Sequence, residues 1–124
     1  MDRDLALLTM VTRQIMANPL EDEMPASRLK QIALISLIVV EKLHTATTPI
    51  TLAQLVDTTG LTRTGAIQSV EPLVQRGLLV ETMGKNSMGR GTARQFQFAP
   101  ALLQNLAVFM GAPLGQFEAR PGAQ

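Results

Sequence analysis

The stretch Ile50-Thr51-Leu52-Ala53-Gln54-Leu55-Val56-Asp57-Thr58-Thr59-Gly60-Leu61-Thr62, continued by Arg63-Thr64-Gly65-Ala66-Ile67-Gln68-Ser69-Val70, decides how this chain is read. Leu52, Leu55 and Val56 fall at helical spacing and predict a short helix over residues 52–58. Gly60 turns the chain, because glycine enters the left-handed region without steric cost. Leu61 is expected to plug the core behind that turn, and Thr62 to cap a second helix, residues 62–76, by accepting a backbone N–H. Along the second helix Ala66, Ile67, Val70, Leu73 and Val74 recur on one side, leaving Arg63, Thr64, Gly65, Gln68 and Ser69 on the other. Pro72 removes a backbone hydrogen bond and crowds the preceding turn, so a bend or break near Ser69 is expected.

Beyond Gly77 the period changes. Leu78-Leu79-Val80-Glu81-Thr82-Met83 reads as a strand, and Arg94-Gln95-Phe96-Gln97-Phe98 alternates strictly. Between them residues 84–93, rich in glycine and basic residues and devoid of acids, form the expected tip of a hairpin. A net charge of +1 by itself points to no nucleic-acid partner, but its distribution is uneven. Residues 60–98 hold Arg63, Arg76, Lys85, Arg90 and Arg94 against only Glu71 and Glu81. Arg76 is assigned to the helix C-terminus, where a cation suits the dipole.

Upstream, Leu5, Leu8, Val11 and Ile15 predict a first helix over residues 2–18, ended by Asn18-Pro19. Glu21-Asp22-Glu23 is read as a solvated loop, and Ser27 as the cap of a helix over residues 27–45 that is apolar nearly all round. Such a helix must be buried under the rest of the domain or at a subunit interface. His44 is placed at the end of that helix, favourably for its dipole, with no further role. A last helix over residues 100–110 presents Leu102, Leu103, Leu106 and Phe109, and residues 111–124 are read as a flexible tail. Residues 1–110 thus form a single expected domain: N-terminal core and dimerisation helices in 1–48, the motif and its strands in 50–98, and a C-terminal helix in 100–110.

The string Leu55-Val56, Gly60-Leu61-Thr62, Ala66-Ile67, Val70, Leu73, Gly77-Leu78-Leu79 resembles the winged helix-turn-helix of bacterial transcriptional regulators, and MarR-like and IclR-like repressors look most similar. The resemblance spans residues 50–98, and helices on both sides favour the MarR-like layout. It implies an α+β, mostly α fold: a winged helix-turn-helix with flanking dimerisation helices and a two-stranded β wing. It also implies a homodimer that binds double-stranded DNA sequence-specifically and represses transcription from an inverted-repeat operator. In that family the second motif helix enters the major groove and the wing reaches an adjacent minor groove. By resemblance the first role falls to Thr62, Arg63, Thr64, Gly65, Gln68 and Ser69, and the second to Lys85, Asn86, Ser87, Arg90, Thr92 and Arg94. The residue types suit this: Gln and Arg pair with adenine and guanine edges, and Thr and Ser serve phosphates or bases. MarR-like dimers often hold small phenolic or lipophilic molecules between the dimer helices and the DNA-binding lobe. Here few polar or aromatic groups exist to orient one, so no effector is indicated. The alternative reading is a winged module that contacts protein, or a plasmid replication or partition accessory.

Composition excludes other classes. Aromatics make up 3% of the chain, with no Trp or Tyr, which leaves no stacking platform for single strands. With no Cys and one His there is no thiolate or zinc set, and no nucleophile–base pairing can be assembled, so neither metal, cofactor nor enzyme is expected. Seven Met residues read as core filler. The start Met1-Asp2-Arg3-Asp4 is acidic, and the apolar run Ile32 to Val40 is too short to span a bilayer, from which a cytoplasmic protein is expected.

Overall fold

Asp2 accepts a hydrogen bond from the Leu5 amide at 3.1 Å and so caps the first helix, α1 (Arg3–Ala17). In the computed structural model, which describes residues 2–44, 48–84 and 93–111, α1 buries Ala6, Leu7, Val11 and Ile15. It stops where Pro19 disfavours a helical Asn18. α2 (Pro25–Val40) is shifted toward the N-terminus from the expected 27–45. Pro25 occupies its first turn, where the missing N–H costs nothing, and Met24 precedes it without a side-chain cap. Ser27 is therefore not the cap; its Oγ accepts from Gln31 Nε2 at 3.1 Å. At the other end Lys42 takes a left-handed φ of 56°, so that its amide and that of Leu43 close back on Val39 and Ile38. An ion pair with Asp4 holds Lys42 there. His44 consequently lies beyond the helix rather than in its last turn. Its Nε2 is 3.4 Å from Asp4 Oδ1, and its ring meets Phe98 edge-on at 5.8 Å.

The quoted stretch forms β1 (Ile50–Thr51), α3 (Leu52–Thr59) and α4 (Arg63–Gln75). Thr51 and Gln54 cap α3 reciprocally, with bonds of 3.1 and 2.9 Å, and Gly60 makes the turn at φ 75°. Thr62 accepts from the Gly65 amide at 3.0 Å and starts α4. The expected break near Ser69 does not occur: α4 runs unbroken through Pro72 to Gln75. Ala66, Val70 and Leu73 are buried on both sides of the proline, and this packing holds the helix together despite one missing hydrogen bond. The helix ends at Gly77, φ 79°, where the amides of Gly77 and Leu78 bond to Val74 and Leu73, each at 3.0 Å.

β2 (Leu79–Gly84) pairs antiparallel with β3 (Ala93–Phe98), from Leu79 opposite Phe98 to Gly84 opposite Ala93. The expected pair of strands is present, within a larger sheet. β1 adds a third strand, Ile50 opposite Phe96, giving the order β1-β3-β2. A two-residue strand displays no alternation, and so leaves no periodic signal. Phe96, fully buried at the centre of the sheet, faces partners on both sides. α5 (Pro100–Gly111) packs Leu102 and Leu106 into the core and lies against α1. The architecture is α+β and mostly helical, and among the described residues no helix is long and apolar enough to cross a membrane.

One buried polar cluster joins the α1–α2 loop to the end of α4. Arg76 and Glu23, with side chains 5% and 4% exposed, form an ion pair. Arg76 also donates from Nε to Gln31 Oε1 and from a terminal nitrogen to the Asn18 carbonyl, each at 3.0 Å. Glu23 accepts from Gln31 Nε2 at 2.7 Å and from the Leu20 amide at 3.1 Å. Glu23 is thus not a solvated loop acid, nor is Arg76 only a dipole partner; the isolated sequence shows neither because they stand far apart in it. Removing one member of a buried pair strands the other's charge. Arg76→Met is expected to cost about 3–5 kcal/mol in urea denaturation, and adding Glu23→Gln to recover part of that loss.

Candidate nucleic-acid interface

A helix advances about 100° per residue, so the side of α4 opposite the buried Ala66, Val70 and Leu73 carries Thr64, Gln68, Glu71 and Gln75. All four are exposed. Arg63, in the first turn, is also exposed, and among the described residues no ion pair engages it. The N-terminal end of α4, with its first-turn amides and the capping Thr62, faces solvent.

Of the six residues expected to face outward from this helix, two do not. Ser69 is 8% exposed and donates its hydroxyl to the Gly65 carbonyl at 3.0 Å. Gly65 is half-buried, and a Cβ there would stand 3.2 Å from Thr62 Oγ1, so its lack of a side chain serves the tight helix start. Both sit on the flank of α4 that looks toward α2, where they line a cleft of about 630 Å³. The exposed Gln68 borders it too, and its other walls include Met24, Ala33 and Leu37 of the α2 region and Leu61. Leu61 is 40% exposed, and thus does not plug the core. It precedes the cap Thr62 and borders the cleft instead. In exchange the outward stripe gains Glu71 and Gln75, which lie within the expected helix of residues 62–76 but outside the outward set read from sequence, which stops at Ser69. Extending the 3.6-residue period to the outward side past Pro72, as for Leu73 and Val74 on the inward side, finds them.

Arg94, expected to reach DNA from the second strand, is bound to its own protein. Its guanidinium donates to both carboxylate oxygens of Glu81 on β2, at 2.6 and 2.9 Å. It also lies 3.6 Å from Glu71 on α4 and 5.8 Å from the centre of the Phe96 ring. The register places Glu81 beside Arg94's strand and opposite Phe96, so pairing of two strands brings the charges together. Arg94 is in effect a strut between sheet and helix. The remaining residues assigned to the expected wing, Lys85, Asn86, Ser87, Arg90 and Thr92, lie outside the described residues, as do 112–124 of the expected tail. Among the described residues no group of acids and histidine is placed to hold a metal ion.

In comparisons with protein-family models, curated proteins and solved structures, nothing matched this chain.

Paired carboxyls contribute to the response to acid, Asp4 beside Lys42 among them, its carboxyl held below its ordinary value by the hydrogen bond from Lys42. Hydrogen bonds from Arg94 hold the Glu81 carboxyl below its ordinary value of 4.5. Burial pushes the Glu23 carboxyl up, but donors from Gln31, Leu20 and Arg76 outweigh it, and the net displacement is downward. A carboxyl whose folded pKa is depressed stabilises the fold above its unfolded value, and that contribution is lost as pH falls through the folded value. The urea midpoint should therefore stay level from about pH 7 to about pH 5 and drop below the ordinary carboxyl value of 4.5. Glu81→Gln should make the drop shallower; an unchanged acid profile would mean that the Arg94 pair stabilises nothing.

Proposed function

We propose that this chain is a winged helix-turn-helix protein that binds double-stranded DNA in a sequence-specific manner, as a homodimer on an inverted repeat, and represses transcription by occupying it. The observation that carries this reading is the exposed polar stripe of α4, continuous with a helix N-terminus that faces solvent. Gln and Thr side chains there offer hydrogen bonds to base edges, Arg63 offers a cation to phosphate or guanine, and the end of the helix favours anions. The succession α2, β1, α3, α4, β2, β3 supports the winged layout, with β1 closing onto β3 beneath the motif.

Dimerisation is supported by apolar side chains left in water. Leu29 and Val40 on α2 are 61% and 65% exposed, and Leu5 and Met16 on α1 are 55% and 48% exposed. Spaced by eleven residues on each helix, each pair lies on one face. Two hydroxyls near them are already satisfied, Thr9 donating to the Leu5 carbonyl at 2.8 Å and Ser36 to the Ile32 carbonyl at 2.9 Å. A second copy seated there would take these apolar side chains out of water. A protein-contacting module is the second reading, and the apolar cleft between α2 and α4 is what favours it.

Selection from random duplex DNA should enrich an inverted repeat bound with a steep salt dependence. Arg63→Ala should flatten the log–log slope by about one. Absence of any enriched sequence would leave the protein-contacting module. In sedimentation equilibrium the wild-type chain should be dimeric and the Leu29→Glu, Val40→Glu double variant monomeric; an unchanged mass would move the interface elsewhere.

A further inference from the structure

Glu71 belongs to none of the sets assigned to DNA by sequence. It lies near the middle of the outward stripe of α4, with a side chain 57% exposed, and its neighbours Thr64, Gln68 and Gln75 offer only hydroxyl and amide groups. One carboxylate oxygen lies 3.6 Å from the Arg94 guanidinium, which Glu81 grips with both of its oxygens. Glu71 is thus a largely exposed carboxylate bordering the groove between α4 and β2, with a cation 3.6 Å away that is itself fixed to the sheet.

On a surface that approaches phosphates such a charge is unfavourable unless it meets a donor. An ionised carboxylate only accepts hydrogen bonds. In the major groove guanine presents two acceptors and repels it, thymine presents an acceptor and a methyl group, and adenine sets an acceptor beside its amino group. Cytosine presents its N4 amino group alone, and this is the edge that a carboxylate matches. Gln68 and Gln75 are seven residues apart in the numbering, roughly 10 Å along the helix at about 1.5 Å per residue, which is about three base-pair steps.

We propose that Glu71 is a specificity-determining residue that selects a cytosine between the base pairs met by Gln68 and Gln75, with Arg94 as its positioning residue. This rests on the DNA-binding reading above. It turns an apparent electrostatic liability into the source of discrimination: the carboxylate rejects guanine at that position, and Arg94 offsets its charge toward the backbone without supplying a donor to the groove.

The test is site selection from random duplex DNA with the full wild-type chain, Glu71→Gln and Arg94→Gln in parallel. The wild type should require cytosine at one position of each half-site. Glu71→Gln should convert that position to adenine, which an amide pairs with through N6 and N7, and should lose about tenfold in affinity for the wild-type site. Other positions should be unchanged. Arg94→Gln should relax the preference at the same position only, an effect that general destabilisation does not produce. Identical consensus sequences from the wild type and Glu71→Gln would overturn the proposal while leaving DNA binding intact. No enrichment by the wild type would remove the DNA-binding reading and this proposal with it.

Discussion

Arg76 sits where three parts of the chain meet: the end of α1 through the Asn18 carbonyl, the loop after it through Glu23, and α2 through Gln31. Because Arg76 is itself the C-cap of α4, the orientation of that helix depends on this cluster. Two charges buried to this degree are tolerable only because every arm is used. Three nitrogens of the guanidinium donate, and both oxygens of Glu23 accept, Oε1 from Arg76 and the Leu20 amide and Oε2 from Gln31. The immediately following Gly77 then turns the backbone into β2, so the constraint passes from α4 to the sheet within two residues.

A second polar strut works at the opposite side of the motif. Arg94 is held by Glu81 and approaches Glu71, joining both strands to the outer half of α4. The helix is consequently tied at its C-terminus to the α1–α2 loop and at Glu71 to the sheet, while its N-terminal turn remains in water. In the proposed DNA-binding reading such support serves to hold donors and acceptors in place for a base edge. The apolar interior beneath, built from Leu, Ile, Val and Ala around Phe96, supplies the mass of the stabilisation, and the ion pairs supply direction.

Much of this was legible in residue order, and the failures have physical causes. Gly60, Thr62 and Gly77 act through their own backbone conformation or a bond to an amide three residues away, so each element boundary they set was readable. Helix α2 was harder. Its start is set by Pro25 and its end by a left-handed Lys42, which an ion pair to Asp4 supports from a distance along the chain. Pro72 misled in the other direction. Propensity favours a break there, but burial of Ala66, Val70 and Leu73 against neighbouring elements outweighs one lost hydrogen bond. Separately, an outward set confined to the first half of α4 left out Glu71 and Gln75 and admitted Ser69 and Gly65, which packing turns toward α2.

What residue order determined by itself is therefore the set of local events: caps, turns, helical stripes and the alternation of the last strand, all acting within about one turn of helix or one strand pair. Tertiary structure alone decided the partners of the charges. Whether Arg94 is free for a phosphate or spent on Glu81, and whether Glu23 is a loop acid or the buried counterion of Arg76, depends on register and packing between segments distant along the chain. It also decided that β1 is a strand at all, because two residues become one only when Phe96 stands opposite Ile50. Electrostatic pairing is non-local, falling off with distance in space and not along the sequence, and a single chain of letters holds no record of those distances.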